Sequence, residues 1–173
     1  MSEAPRYWLL KSEPDCFSID HLAAAPKQTT YWSGVRNFQA RNFMRDDMRP
    51  GDRVLFYHSS AEPSAVVGLA TIVQPGYPDF TAEEKSDDHY DPKHTKQNPI
   101  WYMVDVKFDE KFPRELALPE LRGIPALKEM VLLQKGSRLS VQPVRKAEFD
   151  AIVKLAQEKV KSQKSEVKSK SKK

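Results

Sequence analysis

Between Tyr31 and Ser60 the chain reads YWSGVRNFQARNFMRDDMRPGDRVLFYHSS, gathering Tyr31, Trp32, Phe38, Phe43, Phe56, Tyr57, five arginines, two asparagines and His58. Aromatic planes beside amide and guanidinium donors suit a flat, polar, hydrogen-bonding ligand. In a chain without a cofactor motif the commonest such ligand is a nucleobase. The same residues would also serve as a core aromatic cluster ringed by solvated arginines, because aromatics are mostly inside and Arg mostly outside. Composition alone favours this second reading.

The local order places these groups. Trp32-Ser33-Gly34 reads as a strand end running into a turn. Asn37 is positioned to cap a helix from Phe38 to Met48, with Phe38, Ala40, Phe43, Met44 and Met48 recurring at helical spacing. Arg41, Arg45 and Arg49 fall on another stripe of that helix and are candidate phosphate contacts. Pro50-Gly51-Asp52 stops it, and Arg53 to His58 comes next as a half-buried strand. Two polar strand exits, Trp32-Ser33 and Tyr57-His58-Ser59, are therefore expected to face the site together. Upstream, Arg6 to Lys11 reads as the first strand. Lys11-Ser12-Glu13-Pro14 ends it, Pro14 holding Glu13 extended, and Ser18 caps a short helix through Ala24.

Downstream, Ala65 to Val73 is a strong strand whose internal Gly68 marks a bulge or a sharp bend. Gln74 to Pro99 is a long polar loop carrying Asp87, Asp88, His89, Asp91 and His94, a spacing that matches no metal-ligand signature; no metal is expected. WYMVDVKF, from Trp101 to Phe108, alternates. It puts Tyr102, Val104, Val106 and Phe108 on the core face and Trp101 on the more polar one, as a platform or under the preceding loop. Ser137 to Pro143 returns to extended structure with Arg138, Ser140 and Gln142 on one face, and the planar fork of Arg138 could contact a phosphate or hold carboxylates. A closing amphipathic helix from Ala147 to about Val160 ends the folded part. Alternation predicts that Trp8, Val54, Phe56, Val67, Leu69, Val104 and Val106 share one interior.

At 173 residues and 39% hydrophobic content the chain can build one sizeable core, so a single domain over 1–158 and a disordered Lys/Ser-rich tail over 159–173 are expected. The tail holds seven lysines and one glutamate, which leaves 21 basic and 23 acidic residues before it; the +4 of the whole chain conceals a nearly neutral body. Affinity for phosphate must come from a local patch or the tail. Cys16 is the only cysteine, which removes internal disulfides and cysteine-rich zinc sites. With no spanning apolar run and no signal-peptide pattern, a soluble intracellular monomer without membrane contact is expected. No phosphate loop, dinucleotide fingerprint, nucleophile elbow or metalloprotease helix is present, and no cofactor is expected.

Five segments in order, WLLKSEPDCFSIDHL, YWSGVRNFQARNFMR, GDRVLFYHSS, MVDVKF and SRLSVQPV, resemble the EVE-domain family of the PUA-like superfamily, over about Tyr7 to Leu155. The resemblance implies an α+β fold, a PUA-like small mixed β-barrel flanked by short helices with the C-terminal helix packed on it. It also implies a pocket that reads a modified base, methylated or hydroxymethylated, in DNA or RNA. The ligand set it suggests begins with Lys11, Ser12 and Glu13 and continues through Trp32, Ser33, Gly34, Val35, Arg36 and Asn37. It ends with Tyr57, His58, Ser59, Trp101, Arg138 and Ser140. By analogy with the aromatic cage of the related YTH domains, Trp101 is expected to wall the pocket opposite Trp32. Two alternatives stand beside this reading. One is an enzyme like the related ASCH domains, using Lys11, Ser12, Glu13 and His58 with a Lys or His as general base. The other is a protein-interaction module built on the arginine stripe. The expected location is cytoplasmic, or nuclear in a eukaryote.

Overall fold

The computed structural model describes residues 4–136 and 138–171, the side chains of 159–171 excepted. Its strands are β1 (Tyr7–Ser12), β2 (Thr29–Trp32), β3 (Arg53–His58), β4 (Ala65–Pro78), β5 (Tyr102–Ala117) and β6 (Val141–Val144). They form one mixed sheet in the order β2-β5-β4-β3-β1-β6, with β1 parallel to β3 and the other pairs antiparallel. The helices are α1 (Ile19–Ala24), α2 (Phe38–Asn42), α3 (Leu118–Arg122) and α4 (Lys146–Ser171).

The two edge strands are not hydrogen-bonded to each other, yet the sheet curls like a barrel. One buried cluster takes Trp8 and Leu10 from β1, Trp32 from β2, Val54 and Phe56 from β3, Val67 and Ile72 from β4, Val104 and Val106 from β5 and Val141 from β6. Residues from both edges can meet in one interior only if the sheet bends round it. The bending is done by β4 and β5, whose pairing shifts register four times. On the convex face a second cluster, with Leu9, Leu55, Val66, Leu116, Phe149 and Ile152, packs α3 and α4 against the sheet. Gly68 sits at the first shift. A Cβ there would lie 2.4 Å from the Glu110 carbonyl oxygen and 3.1 Å from Ile19, so only glycine lets the strands approach this closely.

That bulge corrects one expected core position. Val67 faces the interior, but Leu69 belongs to the convex cluster, because the extra residue between Val66 and Gly68 reverses the alternation along the next stretch of β4. Other differences are of extent. β4 continues to Pro78 and β5 to Ala117, since long curved strands tolerate the Pro and Gly residues that read as breaks. α2 gives way at Phe43 to a π-helical turn, Phe43–Asp47, which leaves Arg49 beyond the helix and breaks the arginine stripe. The backbone of 159–171 continues α4 where the sequence pattern predicts a disordered tail. Lys, Gln and Glu are fair helix formers, and Lys172 and Lys173 lie outside the described residues.

One buried carboxylate ties the barrel end together. Asp52 accepts the backbone N–H groups of Arg6 and Arg49 and the indole N–H of Trp8, all at 3.0 Å. Asp52→Ala strands these donors, and the expected cost is about 3 kcal/mol, read from the midpoint of urea unfolding. A loss below about 1 kcal/mol would mean that water replaces the carboxylate at little cost.

Candidate functional site

A cleft of about 570 Å³ opens where β1 and β2 leave the sheet. Its first wall is the β1 exit, Lys11, Ser12 and Glu13, with Cys16 and Phe17 on the adjoining turn. The turn is closed by the Ser12 hydroxyl donating to the Phe17 carbonyl at 2.6 Å and by the Cys16 and Phe17 N–H groups donating to the Glu13 carbonyl. Ser18 then caps α1 in a capping box with His21, as its position before the helix predicts.

The second wall is β2 and its exit, from Thr30 and Tyr31 through Trp32 and Ser33 to Gly34. Trp32 is only 8% exposed and presses edge to face on Phe56 and Phe17, so its ring is both core and cleft wall. Gly34 has φ of +82°, a conformation that disfavours other residues, and its bare Cα leaves room for the His89 imidazole, whose Nε2 would be 2.5 Å from a Cβ. His89 is the third wall. It is fixed through Asp87, which accepts the His89 backbone N–H at 2.8 Å and lies 3.1 Å from Nδ1, and through Arg36, which donates twice to the His89 carbonyl.

The knot behind these walls is Asp79, fully buried. Its carboxylate accepts the Gly34 N–H at 2.9 Å, the Arg36 guanidinium at 3.1 Å, and the backbone and hydroxyl of Thr81. Burial alone would push its pKa up. The hydrogen bonds from Thr81, Gly34 and Arg36, with the charge of Arg36, outweigh burial and hold it below the usual carboxylate range. Lys11, half-buried, has its ammonium pKa lowered by burial and lies 5.9 Å from the centre of the Tyr57 ring.

Of the residues suggested from sequence, Lys11, Ser12, Glu13, Trp32, Ser33 and Gly34 line the cleft. The others stand elsewhere, each for a local reason. Val35 is buried in the interior cluster. Arg36 holds Asp79 and the His89 carbonyl and covers the Trp101 ring, and Asn37 spends its side chain capping α2 through the Ala40 N–H. Tyr57 lies in the convex cluster, because Phe56 faces inward and its neighbour must face out. His58 points to α1, where its Nε2 accepts the Ile19 N–H at 3.1 Å, and Ser59 donates its backbone N–H to the Ser12 carbonyl. The exit that joins β2 at the cleft is thus that of β1, not that of β3.

Trp101 does not stand opposite Trp32. It is 6% exposed, stacked on Phe38 with ring centres 4.9 Å apart, and covered by the preceding loop, in which Asp91 accepts its indole N–H at 2.7 Å. His94 locks that loop, its Nδ1 accepting the N–H groups of Ile100 and Trp101. Arg138 is exposed and outside the cleft, and Ser140 offers its carbonyl to the Lys11 N–H. Arg41 donates to the Ile100 carbonyl and Arg45 is paired bidentately with Asp46, so neither presents a bare fork. Sequence reasoning named Tyr31 among the aromatic planes but left it out of the ligand set, and it missed Cys16, Phe17, Thr30 and His89 as cleft residues. The nearest signal was the position of Cys16 and Phe17 just past the β1 exit; nothing local marked His89. Among the described residues no group of three or more His, Cys, Asp or Glu could hold a metal ion, and no helix is long and apolar enough to cross a membrane.

His58 carries a pH dependence. Burial pushes its pKa down, and the carboxylates of Glu115 and Asp20 offset this only in part. A folded-state pKa below the unfolded one means stability is full above about pH 6.5 and is lost as pH falls through the folded pKa, where protonation removes the acceptor for the Ile19 N–H. His58→Gln keeps an acceptor that does not titrate. Between about pH 8 and about pH 5 the wild type is expected to lose more urea stability than this variant, and parallel curves would remove His58 from the account.

A curled mixed sheet with short flanking helices and a polar, aromatic-walled cleft at two strand exits defines a PUA-like domain. The family model for the EVE domain matches residues 6–155, and the chain belongs to the EVE-domain family. It is similar to thymocyte nuclear protein 1 of Rattus norvegicus, 47% identical over 167 residues that cover 86% of this chain and 73% of that protein. Among solved structures it is similar to a hypothetical protein from Leishmania major, with TM-score 0.85 and 47% identity over 90% of this chain and 97% of that one. It is also similar to human thymocyte nuclear protein 1 crystallised in complex with 5-methylcytosine-containing DNA, with TM-score 0.83 and 43% identity over 87% and 97% of the two chains.

Proposed function

We propose that this chain is a DNA-binding module that reads a modified base, with 5-methylcytosine as its first candidate, in the cleft between the β1 and β2 exits. The observation that carries the reading is the cleft's composition. A tryptophan wall that is already fixed by core packing stands beside Phe17, and around it are the donors and acceptors of Lys11, Ser12, Glu13, Ser33 and His89. Preorganised walls with a few convergent polar groups suit a flat ligand with a hydrogen-bonding edge. The human relative's crystallisation with 5-methylcytosine-containing DNA supports the choice of ligand.

The reading is one of binding rather than catalysis. Of the four groups a reaction would draw on, the Ser12 hydroxyl donates to the Phe17 carbonyl and His58 Nε2 accepts from Ile19 outside the cleft. Residues 159–173, with six net positive charges, add phosphate contacts that are blind to base identity. The domain proper is 1–158. The nucleus, or the cytoplasm of a cell without one, is where such a module would meet its ligand.

The test is a titration of oligonucleotides that differ only in carrying cytosine, 5-methylcytosine or 5-hydroxymethylcytosine, at stated salt. A modified base is expected to bind more tightly. Removing residues 159–173 is expected to weaken all three and flatten the salt slope while keeping their ratio. Equal affinity for all three would overturn the reading.

A further inference from the structure

Two aromatic side chains beside the cleft are left in solvent. Tyr31 is 46% exposed and Phe80 45% exposed, and they meet edge to face with ring centres 4.9 Å apart. Tyr31 stands on the edge strand β2 and lines the cleft, whereas Phe80 opens the 3-10 turn Phe80–Glu83 outside it. The next two residues of that turn, Thr81 and Ala82, are buried, so the turn is anchored while Phe80 projects. Asp79, immediately before it, fastens both Gly34 of the cleft and Thr81 of the turn, which holds Phe80 and the cleft in one frame. An edge contact leaves at least one face of each ring open. Nearly half of each residue's surface therefore stays in water, where it adds nothing to folding.

We propose that Tyr31 and Phe80 form a second subsite, which stacks the nucleobase next to the one held in the cleft. The proposal rests on the base-reading function of the cleft. The occupant is set by continuity: Tyr31 belongs to the cleft wall and to the exposed pair at once, and adjacent nucleotides are tied by a single phosphodiester, so a base held in the cleft keeps its neighbour close to this rim. Every base has a π-face, so this subsite accepts any flanking base and adds affinity without changing which base the cleft selects.

The experiment uses a single-stranded trinucleotide with 5-methylcytosine at its centre, carrying either two natural flanking bases or two abasic flanks. Phe80 is the clean probe because it lies outside the cleft lining. Phe80→Ala is expected to weaken the natural trinucleotide by about five- to a hundredfold, the range of one base-aromatic stack, and to leave the abasic one unchanged. Phe80→Leu keeps apolar bulk but has no ring face and is expected to show a similar loss. Equal loss for both ligands would overturn the proposal, because Phe80 would then be shaping the cleft. So would an unchanged natural trinucleotide. In that case Trp32→Leu separates the two claims: if it still weakens binding the cleft reading stands and only the subsite falls, and if it does not, both fall.

Discussion

Asp79→Ala is expected to cost on the order of 3 to 5 kcal/mol of folding stability and to remove measurable oligonucleotide binding even where the protein remains folded. The carboxylate is fully buried and serves Gly34, Arg36 and Thr81 together, so its removal strands two backbone N–H groups and leaves the Arg36 guanidinium without its counter-charge. Arg36 is also what holds the His89 carbonyl, and the consequence passes from the knot to two of the three cleft walls. The pH dependence has a definite sign. Since the folded-state pKa of Asp79 is lowered, its contribution is complete above the unfolded value of about 3.9 and is lost as pH falls through the folded pKa. Asp79→Asn keeps the size and one acceptor oxygen but no charge. It is expected to be destabilised at neutral pH and to show a smaller further loss on acidification. A variant as stable as the wild type, with binding intact, would show that the Gly34 turn holds its shape unaided.

Trp32 carries the second large effect, and it is two effects in one ring. As a core residue packed on Phe56 and Phe17, it is expected to cost about 3 to 5 kcal/mol of stability when replaced by alanine, a large part of what a domain of this kind possesses. Loss of binding in Trp32→Ala would therefore say little about stacking. Trp32→Leu fills most of the interior and lacks the aromatic face. Once shown to be folded by circular dichroism and a cooperative melt, it is expected to bind a 5-methylcytosine oligonucleotide about five- to a hundredfold more weakly. Trp32→Phe, which keeps a ring, should fall between this variant and the wild type. Unchanged affinity in a folded Trp32→Leu would take the tryptophan out of recognition and leave it a core residue.

What the sequence discloses here is local order. Ser18 and Asn37 are capping residues because a short polar side chain before an apolar run has few other uses, and both cap as expected. Gly68 marks its bulge for a similar reason. The β1 exit and the run from Trp32 to Gly34 are legible as walls of one cleft because unusual residue types stand together at strand ends. Tyr57 and His58 met that criterion too, but strand alternation sends Tyr57 to the convex face, an inference available from the inward-facing Phe56 alone. Trp101 was assigned to the polar face by the same parity, and only the folded loop reveals that Asp91, His94 and Phe38 cover it. Asp52, Asp79 and His89 are invisible because the partners that tie them into the fold, Arg6 and Trp8 for the first and Gly34 and Arg36 for the others, lie tens of residues away, and no spacing rule connects an aspartate after a strand to a glycine in another turn.

The central claim is that the cleft bounded by Lys11–Glu13, Trp32–Gly34 and His89 holds the modified base, and a crystal structure of the protein with an oligonucleotide carrying one 5-methylcytosine tests it most directly. The expected result places the methylated ring in that cleft, against Trp32, with its polar edge within hydrogen-bonding reach of Lys11, Ser12, Ser33 or His89. A methylated base that stays stacked in its strand, with the nucleic acid lying along Arg41 and Arg45 and no nucleotide between Trp32 and His89, would contradict it.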